Sequence, residues 1–325
     1  MNLPRRQFLR LAAGATALPA VSHVAKAQSY PARPVRLIVG FPAGGAADIV
    51  ARLMAQSLSE RLGQQFVVEN RPGAGTNIGT GVVVNAIADD HTLLFVTTPN
   101  AINATLYDNL EFNFIRDIVP VAGILRAPLV IVINPSFPAK NVPDFIAHAK
   151  ANPDRINMAS AGIGSPAHLA GELLKTMAGI NMVHVPYRGG APALTDLLGG
   201  QVQIYFSVLP DSMEHIRAGR LRALAVTAAT RWEALPDLPT VGDFVPGYEV
   251  SAWQGVGAPK NTPAEIIEKL NKEINAILAD HDIKRRLSDL GGVPMPMTPA
   301  EFGKFVVAET EKWGKAVTFS GAKAR

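Results

Sequence analysis

The chain has 325 residues, 48% of them hydrophobic and 18% charged, which is enough apolar content to bury a core and rules out general disorder. It contains no cysteine, so disulfides, zinc–thiolate sites, iron–sulfur clusters and a cysteine nucleophile are excluded. Its 31 Lys+Arg against 27 Asp+Glu give a formal net charge of +4, and a basic surplus points to nucleic acid or an acidic surface unless one segment holds it.

Residues 1–27 hold it. Arg5, Arg6 and Arg10 form a positive start, Leu11 to Val21 is apolar and rich in small residues, and Ala25-Lys26-Ala27 fits a small-x-small cleavage site. Arg5-Arg6 followed by Gln7-Phe8-Leu9 resembles a twin-arginine export signal; an ordinary signal peptide with two arginines is the plainer reading. The apolar run is well short of the roughly 20 residues that a membrane span needs. The leader carries four basic residues (Arg5, Arg6, Arg10, Lys26) and no acid, so its removal leaves 27 basic against 27 acidic residues. A mature chain balanced in this way loses the compositional support for a nucleic-acid partner.

From Val35 onward, short apolar runs alternate with helical patterns. The periodicity predicts a strand at Val35–Val39, a helix at Ala47–Leu62, a strand at Phe66–Glu69, a helix at Ile78–Ala88 and a strand at Thr92–Thr97. This order calls for parallel strands with right-handed crossovers, covered on both faces. Two adjacent strands follow, Val119–Leu125 and Leu129–Ile133. A second series then reads as helix Pro143–Ala151, strand Ile156–Ala159, helix Pro166–Ala178, strand Met182–Val185, helix Ala191–Leu198, strand Val202–Phe206, helix Ser212–Ala218 and strand Leu221–Val226. Trp232–Glu249 reads as loop. Thr262-Pro263-Ala264-Glu265 and Thr298-Pro299-Ala300-Glu301 both predict a helix start with Thr as N-cap, Pro at N1 and Glu at N3.

Two doubly wound α/β units in an exported chain suggest a hinged, two-lobe receptor. The expected crossing points are Arg126–Pro128 and Val250–Gly257, giving one lobe from 28–126 and 253–325 and the other from 127–252.

Ligands of open α/β sheets bind beyond the carboxyl ends of the strands. The first such loop, Gly40-Phe41-Pro42-Ala43-Gly44-Gly45-Ala46-Ala47-Asp48, carries no Lys or Arg, so an anion there would be held by backbone amides at the helix start. A tight turn with Asp48 as a first-turn acid explains the same residues equally well. Ser160-Ala161-Gly162-Ile163-Gly164-Ser165-Pro166-Ala167-His168 repeats the pattern in the second series, with His168 either a donor to ligand or a structural histidine. Tyr187 and Arg188, after His184-Val185-Pro186, offer a hydroxyl and a charge to a carboxylate, or else a packed ring and a surface cation.

Other motifs are weak. Gly73-Ala74-Gly75 with Gly79 has the wrong spacing for a dinucleotide loop, and there is no P-loop, no G-x-S-x-G elbow and no H-E-x-x-H. The histidines at 91, 148, 168, 184, 215 and 281 lack metal-ligand spacing. Asp211 and Glu214 read most simply as a solvated helix start. No metal and no cofactor is expected.

Taken together, Phe41-Pro42-Ala43-Gly44-Gly45…Asp48, Val67-Val68-Glu69-Asn70-Arg71-Pro72-Gly73-Ala74-Gly75, Ala159-Ser160-Ala161-Gly162…His168, His184-Val185-Pro186-Tyr187-Arg188-Gly189 and Leu235-Pro236-Asp237-Leu238-Pro239-Thr240 resemble the tripartite tricarboxylate transporter solute receptors, the Bug family. The resemblance runs in order along the mature chain. It implies an α/β periplasmic-binding-protein fold of the Venus-flytrap, type II-like kind, without catalysis. It also implies a monomer that holds a small carboxylate and hands it to the transporter's membrane subunits or to a sensor ectodomain.

The resemblance further implies ligand contacts from Phe41, Ala43, Gly44, Gly45, Ala46, Asp48, Thr97, Thr98, Ser160, Ala161, Gly164, His168, Tyr187, Arg188, Ser207 and Asp211. Phe206, Val208 and Leu209 make the last of these regions apolar, which argues against an amino acid and leaves a dicarboxylate as the default, beside a tricarboxylate or an apolar or aromatic monocarboxylate. The competing readings are an exported α/β hydrolase built on Ser160 or Ser165, and an exported redox partner.

Overall fold

The computed structural model describes residues 30–86, 91–187, 189–233 and 235–324, apart from the side chain of Pro210. The chain divides into two units, Met1–Ala32 and Arg33–Arg325, and every element below belongs to the second. The export signal read in residues 1–27 lies outside the described residues, as does Arg188.

Strands β1 (Val35–Val39), β2 (Phe66–Asn70) and β3 (Thr92–Thr97) run parallel in the order β2-β1-β3. Helices α1 (Ala46–Leu62) and α2 (Asn77–Val84) make the two crossovers. Val35, Leu37, Ile38 and Val39 are fully buried, as a strand covered on both faces requires. Val50, Met54 and Leu58 pack the inner face of α1, and the left-handed Gly63 (φ +71) ends that helix. Helix α3 (Thr98–Leu106) starts directly where β3 stops.

After the single turn α4 (Phe114–Asp117), the two adjacent strands expected from the sequence form one 16-residue strand, β4 (Ile118–Ile133). Its first part pairs antiparallel with β9 (Ser251–Pro259), from Ile118↔Pro259 to Pro128↔Ser251. Its second part, Leu129–Ile133, pairs with β7 (Ile204–Val208) and β8 (Arg222–Val226). The prolines explain why the sequence looks broken here. Proline cannot donate to a ladder, so it belongs at a bulge or an edge. Pro120 stands at a register shift of the β4–β9 ladder, and Pro128 is the last residue before β4 exchanges β9 for β7 and β8.

The second half holds β5 (Asn157–Ser160), β6 (Val183–Pro186) and β7, with β5 parallel to both neighbours. Its helices are α5 (Val142–Ala151), α6 (Pro166–Ala178), α7 (Gly190–Leu198) and α8 (Leu209–Arg217). The full order is β2-β1-β3-β9-β4-β7-β5-β6. The chain returns through β9 to α9 (Ala264–Ala279), α10 (His281–Asp289), the short β10 (Val293–Pro294) beside β4, and α11 (Pro299–Ser320).

The two Thr-Pro-Ala-Glu starts behave differently. At α11 the Thr298 hydroxyl accepts from the Glu301 amide (3.2 Å) while Glu301 accepts from the Thr298 amide (2.9 Å), the expected box. At α9 the buried Thr262 hydroxyl donates to the Pro259 carbonyl at the end of β9 (2.9 Å), and Pro263 takes the N-cap place without a side-chain bond. A tertiary acceptor has taken the hydroxyl. Helix α11 is fixed on β9 by Glu309, whose Oε2 accepts from both Trp253 Nε1 and Trp313 Nε1 at 2.9 Å. Both indoles are buried, so an unpaired ring N–H would be costly.

Candidate functional site

The turn Gly40–Gly45 joins β1 to α1 at a carboxyl edge of the sheet. Phe41 is half-buried, while Ala43, Gly44, Gly45 and Ala46 are exposed. Gly44 has φ +84, which suits a residue without Cβ. Asp48 lies beneath this turn at 3% exposure. Its Oδ2 accepts from the Gly44 amide and from Arg52 Nε, each at 2.9 Å. Its Oδ1 accepts from Asn70 Nδ2 (2.9 Å), which also donates to the Phe41 carbonyl (3.0 Å). The Arg52 hydrogen bond, with help from Gly44 and Asn70, overcomes burial and holds the Asp48 carboxyl down to about 2. Asp48 therefore shapes the loop from below. The outer surface is backbone, and the first amides of α1 have no acceptor within the helix.

The neighbouring edge, at the end of β3, is knitted in the same way. Asn100 Oδ1 accepts from the Thr97 amide (2.8 Å) and hydroxyl (3.1 Å), and its Nδ2 donates to Thr80 (2.8 Å) and Thr76 (3.2 Å). Thr98 Oγ1 accepts the Trp253 amide at 2.8 Å, tying α3 to β9. Asn103 Nδ2 donates to the Gly75 carbonyl (2.6 Å). The hydroxyls of Thr97 and Thr98 are thus turned into the protein.

In the second half, β5 ends at Ser160 and α6 begins at Pro166, with Ser165 as N-cap. Gly162 (φ +132) and Gly164 (φ +74) make the turn possible. Ser160 Oγ lies 2.6 Å from His184 Nε2 and accepts the Gly162 amide at 3.1 Å. The ring of His184 stacks on that of His168, with centroids 3.8 Å apart and planes at 16°. His168 Nδ1 accepts the Gly164 amide (3.1 Å), so the neutral ring carries its proton on Nε2. Burial first, then the His184 ring and Lys175, pushes His168 down to about 3. Burial and Lys175 push His184 down to about 4. Both rings are neutral at pH 7. His168 holds the turn through the Gly164 amide, and the Ala161 carbonyl accepts the Gly189 amide (3.2 Å), joining this loop to the one after β6.

Tyr187 donates to Asp196 Oδ2 on α7 (2.6 Å), and burial together with that bond pushes its hydroxyl up to about 12. Ser207 is fully buried and bonds the Val208 carbonyl (2.9 Å). Asp211 stands in the first turn of α8 and is exposed. The apolar character read into this region turns inward: Phe206 is 0% and Leu209 is 2% exposed. A Cβ on Gly171 of α6 would stand 3.2 Å from Phe206 Cε2, so that ring fills the core between sheet and helix. Val208, the third apolar residue of this stretch, is half-buried.

Three residues absent from the sequence-based site do much of the positioning: Asn70, Asn100 and His184. Asn70 and Asn100 stand at or just beyond the carboxyl ends of β2 and β3, and that location was the available signal for them, whereas His184 lies near the start of β6. Among the described residues, no group of three or more His, Asp or Glu side chains is placed to hold a metal. No described helix is long and apolar enough to cross a membrane.

These strand edges, on a mixed sheet whose long strands pass between its halves, define a two-lobe periplasmic solute-binding fold. The chain belongs to the tripartite tricarboxylate transporter family receptors, which it matches over residues 50–321. Rpa4515 of R. palustris, solved with adipate, superposes with a TM-score of 0.81 at 38% identity, covering 90% of this chain and 98% of that one. The periplasmic binding protein BugD gives a TM-score of 0.78 at 35% identity, covering 91% and 100%. Protein BugT of Bordetella pertussis is 39% identical over 304 residues, 92% of this chain and 93% of BugT. The resemblance to the Bug family is therefore one of membership, and the receptor role and periplasmic setting are those of that family.

Proposed function

We propose that the protein captures a small carboxylate between two lobes, residues 28–126 with 253–325 and residues 127–252, and delivers it for membrane uptake or sensing. The observation that carries this reading is the Gly40–Ala46 turn, whose Pro42–Ala46 stretch is an exposed run of backbone held from below by a buried, ionised Asp48. Such a turn binds an anion through amides, without an ion pair. The turn at Ser160–Ser165 offers a second edge of the same kind. Phe41, Ala43, Gly44, Gly45, Ala46, Ser160, Ala161 and Gly164 would supply backbone contacts. Asp48, Thr97, Thr98, His168, Tyr187 and Ser207 would hold those contacts in place, and Arg188 and Asp211 would face the ligand. The adipate bound to Rpa4515 fits a dicarboxylate as the reference ligand class.

Closure gains free energy only when the ligand touches both lobes. The protein would act as a monomer, meeting the transporter's membrane subunits or a sensor ectodomain. It would reach the periplasm through the twin-arginine leader, and replacing Arg5 and Arg6 by Lys would then block export. Mass spectrometry of small molecules released on denaturing the purified protein tests the main reading: a small carboxylate at near-equal molar amount supports it, and a non-acidic ligand contradicts it.

One observation favours a second reading. Ser160 and His184 are paired at 2.6 Å, as in a nucleophile and its base. An exported hydrolase would turn over an ester panel and lose that activity in Ser160→Ala. The full burial of Ser160 favours the receptor.

A further inference from the structure

The main path of the sheet ends on two strands, β2 and β6. Among the described residues each is parallel to a single neighbour, so alternate residues turn their backbone groups outward. In β6 the Val183 amide donates to the Ile156 carbonyl and the Tyr187 amide to the Ser160 carbonyl, which leaves His184 and Pro186 as the outward residues. A proline in that place has no N–H to offer and guards the edge. In β2 the Gln65 carbonyl accepts the Val35 amide and the Arg71 amide donates to the Val39 carbonyl, which leaves Phe66, Val68 and Asn70 outward. None of these is a proline or a charged residue. The one charge on β2, Glu69, is held by Arg36 and Arg71. The Phe66 amide reaches the Ser59 hydroxyl of α1 (2.8 Å), and the rest of this edge is open to another strand.

Helix α1 runs beside the same edge in the opposite direction. At one end Arg52 Nη2 donates to Asn70 Oδ1 (3.1 Å), and at the other Ser59 takes the Phe66 amide, so Gln56 stands level with Val68. Arg52, Gln56 and Glu60 are exposed and follow one another by one turn on a single helix face. With Gln65 to Val68 they line a groove of about 510 Å³. From Arg52 to Glu60 the helix advances about 12 Å, and from Phe66 to Asn70 the strand advances about 13 Å, so the two keep step. The face is self-complementary. One end is a cation, Arg52, whose side chain is 53% exposed. The other is an anion, Glu60, which accepts from Gln56 Nε2 in the middle (3.0 Å). A half-turn about Val68 brings Arg52 to Glu60, Gln56 to Gln56 and Phe66 to Asn70.

We propose that the β2 edge and the outer face of α1 form a two-fold interface with a second copy of this chain, in which β2 pairs antiparallel with its copy about Val68. The Val68 residues exchange a close pair of hydrogen bonds, and on either side an Asn70 amide donates to a Phe66 carbonyl. Each Arg52 faces the Glu60 of the other copy. A contact of this kind closes on itself and leaves neither β2 edge to propagate. The inference does not depend on the ligand and goes beyond the monomer of the reading above: each chain captures its ligand alone, and the dimer pairs two such receptors.

Sedimentation velocity of the mature protein over a wide concentration range tests it. The expected result is a monomer–dimer equilibrium that stops at the dimer. Val68→Pro removes an outward N–H that the sheet does not use, and Glu60→Lys sets cation against cation. Each should weaken the dimer several-fold or more while the thermal unfolding transition is kept. If Val68→Pro fails to fold, Glu60→Lys decides. Because the chain has no cysteine, Gln56→Cys puts a single thiol beside the two-fold axis, and a short bis-maleimide should link it to its copy far more than it links Glu265→Cys, on the exposed start of α9. A chain that stays monomeric at every concentration overturns the inference and leaves the edge to a different partner. Equal cross-linking of the two cysteine variants overturns it too, as does a dimer that survives Glu60→Lys and every folded edge variant.

Discussion

Thr227 and Leu129 hold each other by two hydrogen bonds: the Leu129 amide donates to the Thr227 hydroxyl (2.8 Å), and the Thr227 amide donates to the Leu129 carbonyl (2.9 Å). The hydroxyl also reaches the Val250 carbonyl at 2.7 Å, and the Val250 amide returns a bond to Thr227 (2.8 Å). Leu129 is where β4 leaves β9, and Val250 directly precedes β9. One fully buried threonine therefore pins both passages of the chain between the halves of the sheet. The ion pair between Arg126 and Glu249 spans the same place.

Thr227→Val keeps the shape and removes the hydroxyl, leaving the Leu129 amide without its acceptor. Buried groups stripped of a partner cost about 1–3 kcal/mol. Denaturant unfolding should show that loss with an unchanged slope. A loss under about 0.5 kcal/mol would mean that the hydroxyl does not secure the crossing.

Asp48 should matter to the ligand without touching it. Asp48→Ala removes the acceptor of the Gly44 amide, Arg52 and Asn70, and hydrogen bonds to charged groups are worth about 1.5–3 kcal/mol. The variant is expected to lose about 2 kcal/mol of stability and roughly tenfold in ligand affinity. Its carboxyl is lowered by folding from 3.8 to about 2, so this stabilisation is complete above pH 3.8 and disappears as the pH falls toward 2. Unfolding measured along that range, with Asp48→Asn as control, checks the sign.

The stacked histidines set a second, higher window. Folding lowers His168 from 6.5 to about 3 and His184 from 6.5 to about 4. The unfolded chain then binds more protons than the native one below pH 6.5, so stability falls as the pH drops from 6.5 toward 4. His168 alone should account for a loss on the order of 3 kcal/mol by about pH 4. His168→Gln should flatten the pH–stability curve in that window. An unchanged slope in the variant would assign it to other groups.

Gly164 is constrained twice. Its φ of +74 disfavours any side chain, and a Cβ there would overlap Leu106 at the end of α3. Gly164→Ala should destabilise, and adding Leu106→Ala should relieve the overlap but not the backbone strain, which is about 1 kcal/mol. Thermal unfolding of the single and double variants separates the two, and complete rescue would contradict the strain.

The parts of this fold that are legible in the sequence are those set by local pattern. β1 reads as a covered parallel strand because all its residues but Arg36 are apolar, and the Thr298–Glu301 box works because no neighbour competes for its hydroxyl. The failures come from long-range contacts. The Thr262 box is lost to a carbonyl on β9, and Pro128 looks like a strand end when it marks a change of partner. α3 escapes the pattern because its start, Thr97 to Asn100, is polar and its inward hydrogen bonds involve Thr76 and Thr80, more than a full helix-length earlier in the chain.

At the site, the glycine-rich turns are evident from the sequence, but the direction of Phe206 is not. A strand covered on both faces has no alternation to show which side faces a ligand. The roles of Asn70 and His184 depend on which loops lie together, and that is a property of the sheet order.

Calorimetric titration of ligand-stripped, refolded mature protein with a broad panel of small carboxylates tests the receptor reading most directly. The account predicts saturable binding of at least one carboxylate with one site per chain, weakened in Asp48→Ala. Absence of binding to every carboxylate, in protein whose unfolding transition shows it to be folded, would contradict it.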